Sequence, residues 1–240
     1  PFPGAGEELT GTRAGLEEID PEEIGVVVVE PIQGRGGIVI PPGGFLAILR
    51  QWCDAHGAIL VFDEIYTGFN RTGALFACEH EEVVPDLICL GKAMSGGFPI
   101  SACVGKAAVM DAWPESTGEA LHTSTFLGHP VGCAMALEAL RLHEEPRTLD
   151  AVESVARSLG AGLRQLEIPG LREVRGRGAM WGVELEVGSE AGRIVLAMLQ
   201  AGYLLLPGGP TGNVLTFTPP FAIEEDEVQA CLARLAAVAG

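Results

Sequence analysis

The first ordered pattern along the chain is an apolar run without alternation, Gly25-Val-Val-Val-Val29, which stops at Glu30-Pro31. Residues 44–56 then space their apolar positions at helical intervals, and Gly57 marks the stop. Ala58-Ile-Leu-Val-Phe62 is a second apolar run, ending at Asp63-Glu64, and Asp86-Leu-Ile-Cys-Leu90 is a third, ending at Gly91-Lys92. Runs that are apolar throughout predict strands covered on both faces, as in a parallel sheet with crossover helices. In such sheets ligands bind beyond the carboxyl ends of the strands, and Glu30, Asp63 and Lys92 each stand at that end.

Upstream, residues 1–24 read as a lead-in, with a short acidic helical stretch at Leu16–Ile19 and a helix start at Asp20-Pro21-Glu22-Glu23, where Asp20 would cap. Downstream, Ser101–Gly105 predicts a further strand and Lys106–Trp113 a helix. Residues 131–143 and 148–166 predict two helices separated at Glu144-Glu145-Pro146. Beyond Gly170 the pattern becomes short strands (174–187, Tyr203–Pro207 and Asn213–Pro220) with helices over 189–201 and 223–238. The reading is an α/β domain over residues 1–145, mostly parallel sheet, followed by a small α+β domain over 146–240.

Charge narrows the partners. With Asp+Glu 32 against Lys+Arg 15 and a net charge of −17, the chain opposes nucleic acid and acidic membrane surfaces. It has no apolar stretch of membrane-spanning length and no signal-peptide pattern at the first residues. The six cysteines lack a C-x-x-C pair and sit mostly in apolar runs, so the expected setting is reduced and cytoplasmic, with no metal. Cys78 and His80 would make only half a metal site.

Only two lysines, Lys92 and Lys106, occur in the whole chain. Any chemistry that needs an amine nucleophile must use one of them, and Lys106 opens an ordinary helix. Lys92 follows a buried strand and precedes Ala-Met-Ser-Gly-Gly, a loop that lets backbone approach a ligand. The run ending at Asp63-Glu64 also matches the Walker B strand of P-loop ATPases. That rival fails, because Asp86 occupies the first glycine position of the required G-x-x-x-x-G-K-[ST] and Ala93 follows the lysine. A strand-end Asp and a strand-end Lys in one cleft fit pyridoxal phosphate instead: the amine carries the cofactor, and the carboxylate keeps the ring nitrogen protonated.

Four collinear motifs support this: Glu30-Pro-Ile-Gln-Gly34, Leu60-Val-Phe-Asp63-Glu64-Ile-Tyr-Thr-Gly68, Leu90-Gly-Lys92-Ala-Met-Ser-Gly-Gly97 and Ser124-Thr125-Phe126-x-Gly128-x-Pro130. Together with 174–185 and Phe217-Thr-Pro-Pro220, they resemble the ordered signatures of class III pyridoxal-phosphate-dependent aminotransferases of fold type I. The resemblance implies a transaminase acting on an amine or amino acid and a 2-oxo acid, with Lys92 forming the Schiff base and acting as base, and Asp63 pairing with the pyridine nitrogen. It places Tyr66, Ser124 and Thr125 at the cofactor, Thr125 across the interface of a homodimer, and gives Glu64 and Glu30 supporting roles. Tyr66 stands where many relatives have a Gln at the cofactor's phenolic oxygen. Arg35 stands where several relatives place a gating Glu, and Thr216 where they place the Arg that binds a substrate carboxylate. Either Arg35 takes over that carboxylate or the amino donor lacks one there. Upstream of residue 25 there is no Gly/Ser-rich phosphate loop and no stacking aromatic, so the chain reads as the C-terminal part of such an enzyme. An aminomutase or decarboxylase of the same fold, or a non-catalytic fragment that only dimerises, are the alternatives.

Overall fold

The computed structural model describes residues 2–4, 6–115, 117–118 and 125–240. Its first sheet has the order β1 (Val26–Val29), β2 (Ile59–Asp63), β3 (Leu87–Leu90), β4 (Ala102–Gly105); the first three are parallel and β4 is antiparallel to β3. The chain enters through α1 (Thr10–Glu17) and a single 3-10 turn at Pro21–Glu23, capped as expected by Asp20, whose Oδ1 accepts the Glu22 N–H at 3.0 Å. The helix thus lies earlier than the 16–19 stretch that sequence suggested, and Pro21 starts only one turn.

The crossover α2 (Phe45–His56) buries Phe45, Leu46, Ile48, Leu49 and Cys53, most of them against Leu60 and Phe62 of the sheet. Its free N-terminal amides are satisfied from a distance: the Glu81 carboxylate accepts the N–H groups of Gly44 and Leu46 at 3.1 Å each. Gly57, at φ 70°, closes the other end. Burial corrects one expectation. Only β2 is enclosed on both faces; in β1, Val26 and Val28 remain 50% and 64% exposed because no layer lies over that face among the described residues. The helix predicted at 106–113 shrinks to α3 (Ala107–Met110).

After α4 (Pro130–His143) and α5 (Pro146–Gln165) comes the second sheet, ordered β5 (Leu171–Arg177), β6 (Met180–Leu185), β8 (Val214–Phe217), β7 (Leu206–Gly208), antiparallel throughout. The strand expected at 203–207 forms three residues later than its predicted start, because Leu205 turns into the core while Leu206 takes up pairing with Thr216. Helices α5, α6 (Gly188–Gln200) and α7 (Glu225–Ala239) cover one face, packing Leu159, Leu163, Ile194, Met198, Leu232 and Leu235 onto Trp181, Val183, Leu215 and Phe217. The loop after β1 ties the two sheets together. Buried Arg175 donates to the carbonyls of Gly37 (2.7 Å) and Ile38 (3.0 Å), and Ile38 packs with Ile32 and Met180. Among the described residues no helix is long and apolar enough to cross a membrane.

Candidate active site

Parallel pairing sets the carboxyl ends of β1, β2 and β3 at one edge of the sheet. Val29 is opposite Phe62 and Asp63 opposite Cys89, so Glu30, Asp63 and the Gly91-Lys92 turn follow one another across that edge. Each is held differently. Glu30 Oε2 accepts the Gly34 N–H at 2.9 Å, closing the loop that leaves β1. Asp63 Oδ1 accepts the Ile65 N–H at 3.0 Å; among the described residues nothing else bonds its carboxylate. Lys92 sits at φ 45°, a left-handed backbone that costs a non-glycine residue about 1–2 kcal/mol. Such strain at the lysine is maintained by its surroundings: α4 packs on the turn over Lys92–Ser95, and Phe98 stacks on His129 at 5.0 Å between ring centres.

The Lys92 amine lies over the face of Tyr66, 4.1 Å from the ring centre. Although the residue is still open to solvent on one side, its partial burial lowers the amine's pKa from the ordinary lysine value. Asp63 and Glu30 oppose that shift by attraction, and the positive charge of Arg35 adds to it. Amine and carboxylates therefore sense one another without an ion-pair contact. The result is an amine that loses its proton more readily than an ordinary lysine, at the same sheet edge as a half-buried carboxylate whose second oxygen has no partner among the described residues. Lys106, by contrast, is bound to Asp86 at 2.8 Å.

Tyr66 occupies the site through its ring rather than its hydroxyl. The hydroxyl lies 3.3 Å from Thr218 Oγ1, and the ring packs so closely on Gly34 that a Cβ there would fall 2.1 Å from Cδ1. Thr216 is buried in β8, and its hydroxyl donates to the Leu206 carbonyl at 2.5 Å, which leaves no proton for a ligand. Arg35 is exposed. Thr125 lies exposed in the turn before α4, and no hydrogen bond or ion pair joins it to Lys92 or Asp63 among the described residues. Ser124 falls outside the described residues. Glu64 is fully buried and accepts from the Thr67 hydroxyl and the amides of Ala77 (3.0 Å) and Cys78 (2.8 Å), so it braces the loop after β2. Cys78 therefore lies by Glu64 while His80 turns to Thr72, and the two take separate partners.

Sequence reasoning passed over Arg71. It donates to the carbonyls of Ala179 (3.2 Å) and Pro219 (2.7 Å) and stacks on Phe221 at 4.5 Å, fixing the segment that carries Thr218. Its placement depends on positive φ at Phe69 (58°) and Asn70 (63°), for which only the asparagine offers any sequence signal.

The family described as aminotransferase class-III matches residues 7–239. The chain is 36% identical over 231 residues to the 4-aminobutyrate aminotransferase of Mycobacterium leprae, covering 91% of the chain and 51% of that enzyme. It is 38% identical over 226 residues to the acetylornithine aminotransferase of Methanopyrus kandleri, covering 94% and 56%. Among solved structures, the ornithine aminotransferase of Toxoplasma gondii, described with partial occupancy of PLP at its active site, superposes with a TM-score of 0.83 at 35% identity over 97% of the chain and 54% of that structure. The acetylornithine aminotransferase of Elizabethkingia anophelis gives 0.84 at 30% identity, over 97% and 58%. The chain thus spans about half the length of the curated relatives it matches.

Proposed function

Because the chain belongs to the class III aminotransferase family, we propose that it carries the lysine side of a pyridoxal-phosphate site and serves an enzyme that moves an amino group between an amine or amino acid and a 2-oxo acid. The observation that carries this reading is that Lys92 and Asp63 stand at the same edge of one sheet. Of the chain's two lysines, the one without an ion pair among the described residues lies on a strained turn, its amine eased toward the neutral form, at the same sheet edge as a carboxylate that has one oxygen unbonded among those residues. Those groups fit the cofactor's two reactive ends. When bound, pyridoxal phosphate supplies an electron sink, provided its ring nitrogen keeps a proton.

Asp63 would hold that proton by ion pairing, as a half-buried carboxylate does well. Lys92 Nζ would carry the cofactor, then move a proton to and from the substrate carbon. Tyr66 would support the amine through its ring face, and Thr216 is assigned to the sheet. Ser124 and Thr125 are assigned to the phosphate, Thr125 toward the site of a second copy, which makes the working unit a homodimer. Residues 1–145 are assigned to the large cofactor domain and 146–240 to the small one. The location we assign is cytoplasmic, with small molecules rather than nucleic acid or membrane as partners.

The test is spectroscopic. The intact protein with pyridoxal phosphate should show a visible or near-ultraviolet band that borohydride fixes covalently to Lys92 and that Lys92→Ala abolishes. The loaded protein should then transfer an amino group to 2-oxoglutarate. Borohydride labelling of Lys106 instead, or a band that survives Lys92→Ala, would reject the assignment.

A further inference from the structure

The loop after β1 carries a cation, Arg35, that no other described residue pairs with. Around Arg35 the backbone is pinned on both sides. Glu30 holds the Gly34 N–H at 2.9 Å, the Arg35 carbonyl accepts the Gly209 N–H at 3.0 Å, and Gln33 bridges to Val39. The guanidinium itself is exposed, with no hydrogen bond or ion pair among the described residues. An unpaired arginine on an open surface would mean little. This one follows Gly34, which packs directly on the Tyr66 ring, and the centre of that ring lies 4.1 Å under the Lys92 amine; the arginine's charge opposes the charge on that amine.

Several other cations of the chain are otherwise engaged. Arg71 donates to two carbonyls, Arg175 is held by Glu173, Glu184 and the Gly37 carbonyl, and Lys106 is paired with Asp86. The Thr216 hydroxyl is committed to Leu206, and the Tyr66 hydroxyl lies by Thr218. Among the described residues no carboxylate forms an ion pair with Arg35, and Glu30 turns one oxygen to the Gly34 N–H. A fixed backbone under a guanidinium unpaired among the described residues, next in the chain to the glycine that seats the Tyr66 ring under the reacting amine, is the form of a preorganised anion anchor.

We propose that Arg35 binds a carboxylate of the amino donor and of the 2-oxo acid that takes its place, and so sets the preference for acidic substrates. This rests on the pyridoxal-phosphate reading above. The planar fork of arginine can take both carboxylate oxygens at once, which lysine cannot. With no ion-pair partner among the described residues to cancel its charge, the anchor stays available in both half-reactions, and amines without a carboxylate gain nothing from it.

The test uses the cofactor-loaded holoenzyme and glutarate, a dicarboxylate with neither amine nor ketone, titrated against the cofactor's absorption band and by calorimetry. Arg35→Gln should weaken glutarate about 10- to 100-fold, the loss of a charge-assisted pair, and Arg35→Lys should fall between. A single turnover of the loaded enzyme with n-butylamine, which involves no carboxylate and no 2-oxo acid, should slow by a smaller factor than the one by which glutarate binding weakens. Glutarate binding that is absent from the wild type or unaltered in Arg35→Gln overturns the proposal. So does an equal loss for glutarate and n-butylamine, which would mark the loop as structural only. Failure of the cofactor band to form in the wild type would instead bring down the underlying reading, and this one with it.

Discussion

Gly34 tests the architecture under Lys92 with a single methyl group. A Cβ at this position would sit 2.1 Å from Tyr66 Cδ1 and 2.8 Å from Cε1, and the Gly34 backbone is not in the left-handed region, so the effect of Gly34→Ala is steric alone. Carbon atoms rest comfortably about 3.5 Å apart, so the ring must retreat by about 1.4 Å. That motion breaks the 3.3 Å contact with Thr218 and withdraws the ring from beneath the Lys92 amine, now 4.1 Å above it. Overpacking of this kind costs about 1–3 kcal/mol, and the lost cation–π contact adds about 0.5–1 kcal/mol at a partly exposed site. The melting temperature should fall by about 2–4 °C for each kcal/mol. Thermal melts of Gly34→Ala, Tyr66→Ala and the double variant separate the causes. If the clash is with Tyr66, the double variant matches Tyr66→Ala to within about 0.5 kcal/mol. An unchanged melt for Gly34→Ala, or additive losses in the double variant, would refute the packing.

Other perturbations have defined outcomes. Asp63→Asn removes an attraction that favours the charged Lys92 amine, so the amine's pKa should fall further; the pH dependence of Lys92 modification in cofactor-free protein reads this, and a rise would contradict it. Asp86 is pushed up by burial but pulled down further by the Leu60 N–H, Lys106 and Arg50, to about 2. Its folded pKa is the lower one, so its contribution is present above the ordinary carboxylate value and is lost as pH falls toward about 2. Asp86→Asn should therefore lower stability at neutral pH and flatten the acid limb of a denaturation midpoint against pH, and an unchanged limb would count against this. Burial and the adjacent Glu64 push the Cys78 thiol up to about 12, so Cys78 should resist alkylation at pH 8 (about four units below that pKa) until the protein unfolds. Rapid labelling of the native protein would contradict that burial.

Much of the first sheet was legible in the sequence because its information is local. Unbroken apolar runs ending in Glu30, Asp63 and Lys92 specify strands and the edge where they stop, and a count of two lysines singles out the amine. Gly57 and Asp20 announced their caps for the same reason, since capping depends on one residue's backbone freedom or one side chain. What depended on residues far apart was settled only in three dimensions. Tertiary packing turned the Tyr66 hydroxyl to Thr218 and its ring to Lys92, committed the Thr216 proton to Leu206, and put Arg71 against Pro219. It also left one face of β1 open where the apolar run had suggested cover on both. A run of valines reports that a strand wants burial; which layer supplies it, and which side chain reaches the amine, is decided by contacts that no local pattern encodes.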